Sequence, residues 1–127
     1  MSFLKNVFKS NNTPKETVPS HVTWKPITSI AKLDALSDAS QSETVLIFKH
    51  STRCGISKMV LRQFEKALNA AGEKVTVHYL DLLNYRDISD EIAAKFQVFH
   101  QSPQLLVLQN GVLVGHASHY SILELSY

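Results

Sequence analysis

The stretch Thr44-Val45-Leu46-Ile47-Phe48-Lys49 constrains the fold of this chain more than any other. It has strand length, is rich in β-formers and shows no alternation, as suits a central strand covered on both faces. A polar junction, His50 to Gly55, interrupts it. Val60, Phe64, Ala67, Leu68 and Ala71 then recur at the spacing of one helix face before Gly72 supplies a stop. A buried strand feeding an amphipathic helix points to an α/β domain.

The flanking segments extend the same alternation. Upstream, after Trp24 and Pro26, Thr28 or Ser29 can cap a short helix through Ile30, Leu33 and Leu36. Downstream, Val75, Val77 and Tyr79 alternate with Thr76 and His78 as a second strand that Asp81 ends. Ser89 or Asp90 can cap a helix carrying Ile92, Ala93 and Phe96, and a loop from Val98 to Pro103 leads to the strand Gln104 to Leu108. Asn110-Gly111 is a strong hairpin signal, with Val112 to Val114 as the return strand and Ser121 to Leu125 as a final short helix. The expected architecture is a central mixed four-stranded sheet flanked by helices.

Composition narrows the function. With 127 residues and 44% apolar content, one domain can build a core without disulfides. The 13 basic and 11 acidic residues are interspersed and leave a net charge of +2, which gives nucleic-acid binding no support. No segment is apolar enough for a membrane span, no secretory h-region is present, and the expected location is the cytoplasm. Residues 1–22 are expected to form a flexible tail, in which Phe3, Leu4, Val7 and Phe8 fall at the spacing of a short amphipathic helix, and residues 23–127 the folded domain.

Cys54 is the single cysteine, so neither an internal disulfide nor a multi-cysteine metal site can form. It stands in Ser51-Thr52-Arg53-Cys54-Gly55, where a helix is expected to begin. Unpaired N–H groups and the positive end of the helix dipole favour a thiolate there, the form that attacks disulfides. The N–H groups of Ile56 and Ser57 and the Ser57 hydroxyl are expected to face the sulfur, with Arg53, Lys49 and His50 adding positive potential. Two-thiol enzymes carry a resolving cysteine three residues after the nucleophile; this chain has Ser57. A mixed disulfide on Cys54 must then be resolved by a thiol from outside the chain. His116, His119, His50 and His100 are too loosely spaced to make a metal motif, although His116 or His119 could protonate a departing thiolate.

The element order, the cysteine at a helix start, Ser102-Pro103 before a strand and the Asn110-Gly111 hairpin together resemble the thioredoxin superfamily over about residues 24–127. Phe48-Lys49-His50-Ser51-Thr52-Arg53-Cys54-Gly55-Ile56-Ser57 is similar to the active-site stretch of the YtxJ-like monothiol bacilliredoxins. His100-Gln101-Ser102-Pro103-Gln104 and Ala117-Ser118-His119-Tyr120-Ser121-Ile122 resemble that family's second and third signatures. The resemblance implies removal of bacillithiol, as co-substrate, from mixed disulfides on S-thiolated client proteins. Cys54 and Ser57 would be catalytic, Thr52, Arg53, Gly55, Ser102, Pro103 and His119 would contact substrate, and no cofactor or metal would be tightly bound. It also implies a cis peptide at Ser102-Pro103.

Gly55 departs from that family, in which proline often follows the cysteine. It brings Cys-Gly-Ile-Ser within one residue of the Cys-Gly-Phe-Ser of monothiol glutaredoxins, which carry iron–sulfur clusters with glutathione. The Gly-Thr-Pro loop before the cysteine and the Gly-Gly-x-x-Asp segment after the hairpin are both absent here. A thioredoxin-like adaptor without turnover is the third alternative.

Overall fold

A strand buried on both faces lies in the middle of a sheet, and the computed structural model, which describes residues 21–72 and 74–125, puts the Thr44–Lys49 stretch there. The elements in chain order are β1 (Val22–Pro26), α1 (Ile30–Ala39), β2 (Val45–His50), α2 (Gly55–Ala71), β3 (Val75–Asp81), α3 (Arg86–Phe96), β4 (Gln104–Gln109), β5 (Val112–Ser118) and a 3₁₀ helix (His119–Glu124). The sheet order is β1-β3-β2-β4-β5, with β1, β3 and β2 mutually parallel and β4 antiparallel to both β2 and β5.

Alternate residues of the central strands feed two cores. Val45, Ile47, Leu80, Leu106 and Leu108 face α1 and α3, meeting Leu33, Ile88, Ile92 and Phe96. Leu46, Phe48, Val77, Leu105 and Val107 face the other way, onto Val60, Phe64 and Leu68 of α2 and Ile122 of the 3₁₀ helix. Phe48 is fully buried, and truncating such a side chain to alanine costs about 3–5 kcal/mol. Local signals act where expected: the Ser29 hydroxyl caps α1 by accepting from the Lys32 N–H at 3.1 Å, and Gly72 ends α2 at φ 79°. Asn110 and Gly111, with φ of 55° and 77°, make the turn whose twist suits a two-residue hairpin.

Three expectations need correction. The sheet has five strands, not four, because Val22–Pro26 pairs in parallel with β3. So short a segment ending in proline reads as a connection, yet an edge strand tolerates proline at its end. Trp24 anchors it with its ring 5.9 Å from that of Phe48 and its indole N–H donating to Glu65 Oε2 at 3.1 Å. Next, α3 starts at Arg86 after Tyr85, so neither Ser89 nor Asp90 is its cap. Ser89 turns inward and is buried. Finally, β5 runs on to Ser118 and the last helix begins at His119, since pairing with β4 continues as far as Gln104. The expected tail lies outside the described residues up to residue 20, and β1 begins at Val22.

Candidate functional site

The carboxyl end of β2 gathers the three stretches singled out in the sequence. Lys49 pairs with Gln104, so the loop after β2 and Ser102-Pro103 before β4 leave the sheet at the same end. Gln104 pairs in turn with Ser118, which brings His119 there. The His119 N–H donates to the Pro103 carbonyl at 3.0 Å, and His119 adopts φ 55°. The Ser102-Pro103 peptide is cis. The Tyr120 hydroxyl reaches Met59 Sδ at 3.7 Å, fastening the 3₁₀ helix to α2.

Cys54 is the N-cap of α2, half-buried and free of any disulfide, in extended backbone at φ −108° and ψ 121°. Its N–H donates to Ser51 O at 3.2 Å and its carbonyl accepts from the Lys58 N–H at 3.1 Å. The first N–H groups of a helix have no intrahelical partner and point past the N-cap, so the sulfur sits at the positive end of α2. Thr52, Arg53 and Gly55 are exposed around it, whereas Pro103 is buried.

The expected donors to the sulfur are arranged differently. The Cys54 sulfur accepts no cap hydrogen bond from the N–H groups of Ile56 or Ser57, and the Ser57 hydroxyl is engaged elsewhere. Ser57 is completely buried; its Oγ lies 2.7 Å from His50 Nδ1 and accepts from the Ser51 N–H at 3.2 Å. An imidazole nitrogen in buried surroundings outcompetes a half-exposed sulfur for that hydroxyl.

Sequence reasoning treated Lys49, His50 and His100 as loose positive charge or loose histidines, and the structure gives each a defined contact. Lys49 is fully buried, its Nζ 2.8 Å from His100 Nδ1, which also lies 3.3 Å from Ser89 Oγ. Burial pushes Lys49 down to about 8, while Asp90 opposes the shift. Burial pushes His50 below its ordinary value, with Asp81 opposing and Lys58 adding to the shift. Burial, Lys49 and Arg86 do the same to His100 against Asp90. One signal was available: a lysine inside a strand covered on both faces must bring its own partner. Among the described residues no three His, Cys, Asp or Glu side chains converge as a metal site requires, and His116 is exposed on β5.

Fold and site together define a thioredoxin-fold protein with one thiol at the start of its second helix. Solved structures agree. One, provisionally described as an oxidoreductase with a thioredoxin fold, shares 32% identity at a TM-score of 0.68, covering 79% of this chain and 86% of its own. Thioredoxin from Malassezia sympodialis (22% identity, TM-score 0.66, 84% and 90% covered) and thioredoxin NaTrxh from Nicotiana alata (20%, 0.62, 87% and 93%) share the fold. The family model described as monothiol bacilliredoxin BrxC matches residues 25–126, and the chain belongs to that family.

Proposed function

We propose that this protein removes bacillithiol, or a similar low-molecular-weight thiol, from mixed disulfides on client proteins in the cytoplasm, with Cys54 as nucleophile. The observation that carries this reading is Cys54 at the N-terminus of α2 with Ser57, not a second thiol, buried one turn away.

The chemistry has two exchanges. The Cys54 thiolate attacks the bacillithiol sulfur of the client's mixed disulfide, a Cys54–bacillithiol disulfide forms, and the client sulfur leaves with the electron pair as thiolate. A second bacillithiol thiolate then attacks the bacillithiol sulfur held on Cys54. The two small thiols become a disulfide and Cys54 departs as thiolate. Negative charge builds on Cys54 at that moment, where the dipole of α2 favours it. Thr52, Arg53 and Gly55 form one rim of the contact surface, and Ser102 and His119 form the other, held over the buried Pro103.

The test is release of bacillithiol from a client carrying it, followed by mass. The wild-type protein accelerates release and Cys54→Ser does not. Equal release by both would overturn the reading, and an iron–sulfur colour in the purified protein would favour the cluster-carrier alternative.

A further inference from the structure

Lys49, Ser89, His100 and Gln104 form a polar cluster at the end of β2 that the exchange chemistry leaves unused. Lys49 continues the row of Val45 and Ile47, on the face of β2 that packs against α3, and its side chain is fully buried. A buried ammonium has only hydrogens to offer and needs acceptors for them. It meets His100 Nδ1 at 2.8 Å, and Ser89 Oγ lies 3.3 Å from the same nitrogen. Because the ammonium donates, Nδ1 is bare and the other ring nitrogen carries the hydrogen. Gln104 is the cross-strand partner of Lys49, so the two side chains leave the sheet on one face. Gln104 Nε2 donates to the Phe99 carbonyl at 3.1 Å, whereas its buried Oε1 has no hydrogen-bond partner among the described residues. Two neighbours on the sheet thus hold two consecutive residues, Phe99 and His100, of the loop that leads to Ser102-Pro103.

The contact between the two nitrogens has room for one proton. His100 is exposed, so acid reaches its ring from solvent. A hydrogen on Nδ1 faces the hydrogens of the ammonium and sets two positive charges side by side. Ser89 Oγ can accept that hydrogen, but it leaves both charges in place. The pair must then part. The Gln104 Oε1, unpartnered across the ladder, is an acceptor for the freed ammonium, and the exposed imidazolium has water. Two arrangements of the same groups are therefore available, and the second ring proton selects between them.

We infer that His100 is a positioning residue for the loop that carries Ser102: neutral, it latches the loop to Lys49, and with a second ring proton it lets go, so that the Ser102 rim loses its fixed place. The groups facing His100 are Lys49 from β2 and Arg86, Ser89 and Asp90 from α3. Burial, Lys49 and Arg86 hold the ring's titration below the 6.5 of a free histidine, and Lys49 keeps its proton up to about 8. At neutral pH the pair carries one charge and the latch is shut. It opens on the acid side. The effect on client binding rests on the proposed function, in which Ser102 borders the contact surface; the latch itself does not.

The test is an NMR titration of the whole protein from neutral pH into the acid range, with KM for a bacillithiolated client measured alongside. In the wild type the signals of Ser102 and Pro103 move with the midpoint of the His100 ring. KM rises about tenfold across the same midpoint, as for a loop that is binding-competent about one tenth of the time, and kcat does not share it. His100→Gln keeps a carboxamide oxygen that accepts from Lys49 but cannot titrate, and both the loop signals and KM stay level. Lys49→Met raises the midpoint of the His100 ring, and Ser102 and Pro103 no longer follow it, since no ammonium is left to repel. Loop signals that stay level while His100 titrates in the wild type, that move equally in Lys49→Met, or a KM that rises alike in His100→Gln would each overturn the inference. Should Lys49→Met fail to fold, the comparison of wild type with His100→Gln decides. The NMR signals need no turnover, so a latch that opens in a protein releasing no bacillithiol would overturn the proposed function and leave this inference standing.

Discussion

Lys49 Nζ and His100 Nδ1 meet at 2.8 Å beneath the loop that carries Ser102 and Pro103, and the lysine is shut off from solvent. The contact ties the centre of the sheet to the segment that leads into the cis Ser102-Pro103 peptide. It carries a cost, since an ammonium held near 8 rather than 10.5 gives up about 3 kcal/mol at neutral pH, at about 1.4 per unit. The unfolded chain binds the extra proton between those two values, so stability rises as pH climbs from 8 toward about 10.

Lys49→Met removes both the cost and the slope. Urea unfolding is expected to show the variant more stable by about 1–3 kcal/mol at pH 7, with no rise above pH 8. A less stable variant would mean that the ammonium is better compensated than its neighbours suggest, and a slope that survived the substitution would belong to groups other than Lys49.

His50, His78 and His100 are all lowered below 6.5, burial being the first cause in each. As pH falls past 6.5, the unfolded chain takes up these protons before the folded one, so stability falls on acidification. The urea midpoint is expected to drop between pH 7 and pH 5. His78→Gln, far from Cys54 on β3, should make that drop shallower without changing alkylation of Cys54. A midpoint indifferent to acid would contradict the shared direction of the three shifts.

Gly55 opens α2, and a Cβ built on it meets nothing within 4 Å. Cys54 before it already has the extended backbone that a following proline requires. Proline is at home in the first position of a helix, where its missing N–H has no intrahelical partner to lose. Gly55→Pro should therefore stabilise the fold by about 0.4–1 kcal/mol through the unfolded state. A loss of stability would show that the loop needs glycine's freedom.

His119 holds Pro103 through its backbone N–H while sitting at φ 55°. His119→Gly should keep the melting temperature close to that of the wild type, because glycine adopts this conformation without strain. His119→Val should lose about 1–2 kcal/mol, the cost of a β-branched residue in left-handed backbone. Equal melting of the two variants would contradict the geometry.

Much of this arrangement is written in local pattern, and the remainder is not. β2, α2 and the Asn110-Gly111 turn follow from periodicity and from residues that suit one conformation. β1 does not, because Trp24-Lys25-Pro26 carries its information in contacts with Phe48 and Glu65, far along the chain. The three signature stretches predicted a common site, and strand register brings them to one end of the sheet. Neighbouring Lys49 and His50 point to opposite faces, one toward His100, 51 residues away, and the other toward Ser57. Spacing cannot reveal such pairings until sheet faces are assigned. Ser57 was singled out for standing where a second thiol would be, but its partner is His50 and not the Cys54 sulfur.

The central claim is that Cys54 itself takes the small thiol from the client. Intact mass of the protein after mixing with one equivalent of a bacillithiolated client tests it most directly. The account predicts a mass increase of one bacillithiol, located on Cys54, with the client thiol regained and the adduct cleared by added bacillithiol. A client that loses its adduct with no mass appearing on Cys54, or as fast with Cys54→Ser, would contradict it.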